Sequence, residues 1–398
     1  MRTIGCIVAL LAASSAAAAQ DFQAGSRAKG MGGSYTAFED DPVSIWMNPA
    51  GISTQPGQMV VSYQSYIQYE VDQGSPDLQG LPEIGLLSPI IVPSLLGFVF
   101  PVGSPEHPMA IGVAFIRPTH LHMTYDSSPQ DGIVDLVTDQ SFVRFRTAFA
   151  IDFRRTAPGD GGLFTHFSFG GGADIGYTEW EQSAVTATTI TPTSSDRQTN
   201  LGNGFGTLIG IYDNTESFKI DFGAAVNLGF DFHFQVRESE NPVFRWPLMF
   251  STGMTFHLFK GMPLRLTVDY QHLSWGQAVE PSAIPGVASF RSTDNFSFGG
   301  EYRIALKEDG SLNVYPRIGA RLIEHFWPDD RFNLPAQGDK QLFIRTRGAS
   351  AISSTIGFGL YWTTAEGRTR GIDAAWENSW GVGTADAMTM SFGYTHEY

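Results

Sequence analysis

Apolar and polar residues alternate with a period of two along much of this chain. Residues 140–155 place Arg144, Arg146, Asp152 and Arg154 opposite Val143, Phe145, Phe149, Ile151 and Phe153. A longer stretch, 218–237, has an apolar face of Phe218, Ile220, Phe222, Ala224, Val226, Leu228, Phe230, Phe232, Phe234 and Val236. A period of two over this length predicts extended strands with one apolar and one polar face.

The length of these stretches indicates that one face contacts water and the other contacts lipid. Strands of soluble sandwiches usually have about five or six residues, whereas 140–155 and 218–237 are much longer. Several charges on one face suit a water-filled lumen, and the apolar face then contacts lipid. The pattern predicts an all-β fold, a transmembrane antiparallel β-barrel of about 14 strands.

The connections between the predicted strands alternate in length. Long ones are expected at 70–94, 183–197 and 325–347, and short ones at 104–107, 212–216, 260–263 and 365–369. Tight periplasmic turns and extended outer loops are typical of outer-membrane barrels. Closure of the barrel also removes exposed strand edges.

One apolar segment, Ile84 to Gly103, has no charged residue and is long enough to cross a bilayer as a helix. Its prolines, Pro89, Pro93 and Pro101, oppose a helix because each removes a hydrogen bond. We therefore expect an apolar outer loop that leads into the second strand, with a helix as the alternative.

The N-terminus predicts export. Arg2 precedes an apolar run at 4–13 and small residues at 14–19, as in a secretory signal peptide cleaved near Ala19. Residues 1–19 would be removed, together with Cys6, the only cysteine of the chain. A mature chain without a thiol excludes disulfides, cysteine-ligated metals and a cysteine nucleophile.

Composition agrees with a barrel and excludes one class of partner. The chain has 44 glycines and 13% aromatic residues, which is typical of many strands and tight turns. Its net charge is −15. Nucleic acid is not expected as a partner, because it binds to surfaces with clustered lysine and arginine.

The segment GMGGSYTAFEDDPVSIWMNPAG, residues 30–51, fits neither a long helix nor a strand. Its glycines permit tight turns and close backbone approach, and its Asp-Pro and Asn-Pro pairs initiate turns. Its charges, with those of Arg27 and Lys29, are expected to pair with lumen-facing residues such as Arg144, Arg146 and Arg237. A simple ordered loop that caps the barrel is the alternative.

This segment resembles the N-terminal signature of the FadL/TodX outer-membrane transport superfamily, which includes the PorV-like branch. The resemblance implies a plug formed by residues 20–57 inside a barrel formed by 58–398. The C-terminal SFGYTHEY resembles the signal read by the barrel assembly machinery, which implies that partner and an outer-membrane location. The plug and gate residues implied by the resemblance are Gly30, Gly32, Gly33, Asp40, Asp41, Asn48, Pro49, Ala50 and Gly51.

The resemblance also implies a channel for passive uptake of hydrophobic small molecules, such as long-chain fatty acids or hydrocarbons, in contact with outer-membrane lipid. Pro118 is a candidate lateral opening, because a missing N–H interrupts the strand ladder; alternatively, it ends the third strand. A candidate capture loop for the hydrophobic ligand, which could also simply pack, contains Leu78, Leu81, Ile84, Leu86, Leu87, Ile90 and Ile91.

The same sequence features bear on three other functions. A PorV-like barrel that binds secreted cargo of a type IX secretion system fits the motif about as well. An enzyme is not expected, because no spacing singles out a nucleophile and its base. No cofactor or metal site is expected either: GMGG lacks the Lys-Ser/Thr of a phosphate loop, and His120, His122 and Asp126 are read as solvated strand-end residues.

Overall fold

The structure is a computed structural model that describes residues 25–38, 40–70, 84–85, 90–126, 135–154, 162–185, 190–214, 217–233, 243–261, 263–275, 292–324, 330–333, 343–346, 350–381 and 386–398. The predicted signal peptide, residues 1–19, lies outside the described residues.

The fold is an all-β, closed antiparallel barrel of 14 strands. The strands are β1 Gln58–Glu70, β2 Ile90–Pro101, β3 Met109–Asp126, β4 Asp135–Arg154, β5 Gly162–Val185, β6 Ile190–Asp213, β7 Phe218–Asn227, β8 Met249–Leu258, β9 Leu264–Leu273, β10 Thr293–Tyr302, β11 Leu312–Glu324, β12 Ser350–Thr363, β13 Thr369–Gly381 and β14 Asp386–Glu397.

Each strand pairs with the strands before and after it in the chain. The last strand closes on the first, with Glu397 opposite Gln58. Because every barrel strand has two partners, its backbone N–H and C=O groups are paired without contact to water, as a lipid environment requires. The predicted barrel, with about 14 strands, is confirmed.

The two faces of the sheet differ as the alternation predicts. On β4, Phe145 and Phe149 are about half exposed on the outside, while Arg144, Arg146 and Asp152 are buried inside. Leu201 and Ile356, on other strands, also project outward and are at least 70% exposed. An apolar outer belt around a polar interior is the pattern of a membrane barrel.

Three short helical elements of the described residues precede β1. They are α1 Ser26–Gly30, α2 Ser44–Met47 and a 3-10 helix at Pro49–Ile52. Residues 25–57 are called the N-terminal segment below. Among the described residues, no helix is long and apolar enough to cross a membrane.

The described residues of the segment Ile84 to Gly103 are not helical. Residues Ile90–Pro101 form β2, and the short strand Ile84–Gly85 pairs with Tyr125 and Thr124 of β3. The strand β2 therefore starts at Ile90, inside the stretch 70–94 that was expected to be an outer loop. The prolines explain the outcome, since they disfavour a helix but can be accommodated at irregular positions of a sheet.

Two expected boundaries are wrong. The stretch 218–237 is not one strand, because β7 ends at Asn227 and the short strand Phe230–His233 pairs with Val243–Trp246. Pro247, which lacks an N–H, separates that hairpin from β8. The long loop expected at 183–197 is also wrong, because β5 continues to Val185 and β6 begins at Ile190.

The short connections are confirmed. They lie between β2 and β3, β4 and β5, β6 and β7, β8 and β9, β10 and β11, and β12 and β13. The first strand starts and the last strand ends at this same end of the barrel, which is called the short-turn end. The remaining short strands are Ile304–Ala305, Asp330–Asn333 and Phe343–Thr346.

Candidate functional site

The N-terminal segment contacts the inward faces of strands on several sides of the barrel. Helix α1 contacts β12 and β13, α2 contacts β3 and β4, and the 3-10 helix contacts β4, β5 and β6. Residues as polar as Lys29 and Asn48 are fully buried there. The structure thus brings the motif residues of the sequence together with strands that are far away along the chain.

Asn48 organises the Asn-Pro-Ala-Gly turn. Its side-chain amide donates to the carbonyl oxygens of Thr36 (2.7 Å) and Thr207 on β6 (3.0 Å), and its Oδ1 accepts from the Ala50 N–H (3.2 Å). A Cβ at Gly206 would lie 2.0 Å from Asn48 Oδ1. The turn therefore fits against β6 because glycine lies opposite it.

The glycines of the motif allow backbone to approach backbone. Gly32 has a φ of 64°, and its N–H donates to Thr355 Oγ1 on β12 (3.0 Å). A Cβ at Gly32 would lie 2.8 Å from the Phe298 carbonyl oxygen, and one at Gly30 would lie 3.1 Å from the Cα of Gly357. Side chains would separate the segment from the barrel at these positions.

The strands β9 to β13 present charges to the N-terminal segment. This surface, called the charged wall, consists of the buried side chains of Asp269, Glu301, Arg317, Arg321, Asp373 and Glu377 together with the partly buried Arg265. One carboxylate, Asp269, accepts hydrogen bonds from the backbone N–H groups of Tyr35 and Thr36, each at 2.7 Å.

Three arginines and three carboxylates form one connected group on this wall, called the guanidinium–carboxylate cluster. Arg27 bonds both Asp40 (Nη1 to Oδ1, 2.8 Å) and Glu301 (Nη2 to Oε1, 2.8 Å). Arg265 pairs with the same Asp40. Arg317 bonds Glu301 (Nε to Oε2, 2.6 Å) and Asp373 (Nη1 to Oδ1, 2.5 Å). The N-terminal segment contributes only Arg27 and Asp40; the other four side chains belong to strands.

The adjacent acids Asp40 and Asp41 have pKa values that are shifted in opposite directions. Burial acts to raise the pKa of Asp40, but Arg27 and Arg265 outweigh it and hold that pKa below its usual value. Burial raises the pKa of Asp41 to about 6, and the attraction of Arg27 only partly opposes it. The Tyr35 hydroxyl donates a hydrogen bond to Asp41. Asp40 is therefore the charged partner of the cluster, whereas Asp41 titrates near neutral pH.

A second group of charges lies farther from the short-turn end. Glu377 on β13 is 3.3 Å from Lys29 Nζ and 3.4 Å from Arg321 Nη2, and it accepts a hydrogen bond from Ser353. Because Lys29 and Arg27 both belong to α1, ion pairs hold this helix at two levels of the barrel.

The strands β2 to β4 present the opposite chemistry. Their inward side chains form an apolar wall that consists of Leu95, Val99, Ala110, Ala114, Ile116, Ala148 and Ala150. Val43, Ile45, Trp46 and Ile52 of the N-terminal segment pack in the same buried cluster. A Cβ at Gly112 would lie 2.7 Å from Ile45, so small residues on the wall admit this helix.

Next to the apolar wall, Trp46 lies beneath two arginines. The guanidinium carbons of Arg146 and Arg144 are 4.6 and 5.8 Å from its ring centre. Both arginines pair with Asp174 of β5, at 2.5 and 3.2 Å. A neighbouring strand thus supplies a carboxylate to both arginines, whereas Asp40 pairs with Arg27 and Arg265. Glu39, the other acid of the motif beside Asp40 and Asp41, lies outside the described residues, so its pairing with these arginines stays a prediction. Arg237 lies outside the described residues.

Pro118 lies at an irregularity inside β3. The register with β4 pairs Ile116 with Arg144 and Thr119 with Phe142, so two residues, Arg117 and Pro118, oppose one. Such a bulge follows from the missing N–H of proline. The alternative that Pro118 ends the strand is wrong, because β3 continues to Asp126. Whether the bulge is a lateral opening stays a prediction.

The predicted capture loop is placed only in part. Leu78, Leu81, Leu86 and Leu87 lie outside the described residues. Ile84 belongs to the short strand beside β3, while Ile90 and Ile91 belong to β2. Those three residues are therefore in strands and not in a loop, because strand pairing extends past the expected rim.

A cavity of about 340 Å³ lies at the short-turn end, between the N-terminal segment and the charged wall. Arg27, Asp40 and Arg265 line it from the cluster, and Tyr315 and Tyr361 add aromatic rings. Its outermost lining residues include Gln58, Thr369 and Glu397, which lie at strand ends. Within the described residues, no group of three His, Asp or Glu side chains could hold a metal ion.

Sequence reasoning missed the barrel half of the cluster. Arg265, Glu301, Arg317 and Asp373 were not singled out, although each shares the inward face with other polar residues of its own strand. The signal that could have found them is that charged residues fall on every second position, and so on one face, of strands whose other face is apolar. This pattern does not predict which charges meet across the lumen.

No protein-family model matches the chain, and no curated protein sequence matches it. Solved structures do match in fold. A FadL homologue of Pseudomonas aeruginosa is 16% identical with a TM-score of 0.61, over 94% of this chain and 98% of that one. The toluene transporter TbuX of Ralstonia pickettii is 15% identical with a TM-score of 0.59, over 95% of this chain and 100% of that one.

The toluene transporter TodX of P. putida is 12% identical with a TM-score of 0.58, over 95% of this chain and 99% of that one. At such identities the likeness establishes the fold. The barrel and these neighbours fit a location in a bacterial outer membrane. The resemblance seen in the N-terminal motif thus holds at the level of architecture, and the chain has the fold of the FadL and TodX channels.

Proposed function

We propose that this chain is an outer-membrane channel for passive uptake of hydrophobic small molecules, such as long-chain fatty acids or hydrocarbons. The N-terminal segment is its plug, and the chain carries no catalytic activity. The observation that carries the proposal is the apolar wall, which ends at the bulge of β3. The neighbours named as toluene transporters support the solute class.

The apolar wall supplies a surface that a water-insoluble molecule can follow inside a barrel whose other wall is charged. Ile116, the last wall residue on β3, is fully buried and directly precedes Arg117 and Pro118 of the bulge. A disrupted ladder at that point is a site where the sheet can admit a molecule to the membrane. The plug residues Ile45 and Trp46 cover the wall and would move or yield during passage.

The test compares two buried aliphatic side chains. Ile116→Gln places a polar amide on the apolar wall beside the bulge, whereas Leu273→Gln makes the same kind of change on β9, far around the barrel; both residues are 0% exposed. We expect Ile116→Gln to lower uptake of a labelled long-chain fatty acid or of toluene several-fold in cells. Leu273→Gln should retain wild-type uptake. Equal uptake by both folded variants would contradict the proposal.

The PorV-like alternative concerns the same barrel with a protein ligand. No contact among the described residues favours it, and the predicted capture loop lies largely outside them. Co-purification of a secreted cargo domain with the wild-type barrel, together with unchanged uptake in the Ile116→Gln variant, would support cargo binding over a channel.

A further inference from the structure

We propose that the charged wall is a closed aqueous pathway for small inorganic ions, and that the guanidinium–carboxylate cluster is its gate. This function goes beyond hydrophobic uptake, because it uses the other wall of the barrel and a different class of solute. Its gate consists of Arg27 and Asp40 of the N-terminal segment and Arg265, Glu301, Arg317 and Asp373 of the strands.

The pathway begins at the cavity of about 340 Å³ at the short-turn end. Arg27, Asp40 and Arg265 belong both to the lining of that cavity and to the cluster. The side chain of Asp40 is 34% exposed and that of Arg265 is 26% exposed, while the Arg317 side chain is fully buried. The cluster therefore has a hydrated side and a dry side, as a gate at the end of a water-filled space would have.

Polar contacts continue beyond the cluster. Lys29 of α1 is 3.3 Å from Glu377, which also pairs with Arg321. Between these two levels, α1 meets the barrel through the glycines Gly30 and Gly357, whose backbones nearly touch. No bulky apolar side chain of the helix has to leave this interface for water to enter it.

Charge is one of two forces that hold the segment in the barrel. The apolar wall packs against α2, and well-packed apolar groups often stabilise as well as a buried ion pair does. A buried ion pair also keeps water out of the interface, because each charge is stabilised by its partner in place of water. This exclusion of water, called the seal, depends on both partners. Loss of one partner leaves a buried charge that draws water back, and the seal opens.

Two substitutions break the same contact with opposite changes in charge. Asp40→Asn raises the charge of the cluster by one unit, and Arg265→Gln lowers it by one unit. Both remove the Arg265–Asp40 ion pair. We expect several-fold higher conductance of KCl for both variants in planar bilayers than for the wild-type barrel. Under a KCl gradient, the reversal potential should shift toward chloride for Asp40→Asn and toward potassium for Arg265→Gln.

A matched control breaks an ion pair near the same end but away from the charged wall. Arg154→Gln removes the pair between Arg154 and Asp152 on β4, which is 2.8 Å long, and it should conduct like the wild type. Heat-dependent mobility of the barrel in SDS gels reports folding of each variant. If Asp40→Asn does not fold, Arg265→Gln alone must still show raised conductance with potassium preference.

Wild-type conductance in the folded Arg265→Gln variant would overturn the proposal. The same selectivity in both variants would overturn it too, because an undocked segment opens the lumen without regard to the sign of the change. Uptake of hydrophobic compounds is measured with the Ile116→Gln variant, which leaves the cluster intact. Failure of the ion pathway and failure of the hydrophobic channel are therefore separate results.

Discussion

The two walls of the barrel hold the same segment by different forces. Against β2 to β4, α2 packs apolar side chains onto small and aliphatic residues. Against β9 to β13, α1 makes ion pairs and close glycine contacts. Apolar packing is non-directional, whereas loss of one partner of a buried ion pair carries a large penalty. The comparison separates a wall that holds α2 mainly by apolar packing from a wall that holds α1 by paired charges.

The largest expected effect is loss of the carboxylate shared by the cluster. Glu301 bonds Arg27 and Arg317 and lies 3.7 Å from Arg265. Glu301→Ala should destabilise the docked segment by about 3–5 kcal/mol, because it leaves buried guanidinium groups without compensation. Limited proteolysis of the segment in detergent, at increasing urea, measures the change. Glu366→Ala, on an exposed turn, is the control and should match the wild type.

On the apolar wall the corresponding change is Ile45→Ala. Ile45 is 0% exposed and packs in the cluster that contains Ile116. The smaller side chain should cost about 2–5 kcal/mol through lost burial and the cavity it leaves. The proteolysis assay with urea applies here too. If the walls differ as described, Ile45→Ala leaves the conductance of KCl unchanged, and a rise in conductance would mean that the walls do not act separately.

The smallest expected effect is a pH dependence set by Asp41. Its pKa is about 6 in the fold and about 3.9 in an unfolded chain. Between these values the folded state binds a proton that the unfolded state lacks, so stability rises as pH falls. From pH 7 to pH 5 the gain is about 1 kcal/mol. The proteolysis midpoint of the wild type should rise over this range, and Asp41→Asn should lose that part of the rise.

An unchanged pH response in Asp41→Asn would assign the effect to other groups. The carboxylate of Asp41 contacts residues that dock on both walls: it lies 3.8 Å from Arg27 Nη1, and it accepts a hydrogen bond from the Val43 N–H.

The regular part of the fold was predictable because one physical constraint acts on every strand. A residue that faces lipid must be apolar and its neighbour faces the lumen, so the period of two in 140–155 identified β4 and its inward arginines. Proline and strand pairing limited this reasoning. The strand β7 ended at Asn227, Pro247 separated the hairpin that follows from β8, and the extended pairing of β5 with β6 removed an expected loop.

The sequence by itself determined the barrel, the alternation of its faces, and the glycine-rich and Asn-Pro motif of the N-terminal segment. These are local properties, since each depends on residues a few positions apart. Only the tertiary structure decided that Asp40 meets Arg27 and Arg265 while Arg144 and Arg146 share Asp174. Asp40 and Arg265 are 225 positions apart in the chain. Strand order and register around the closed barrel bring them together, and no local pattern carries that information.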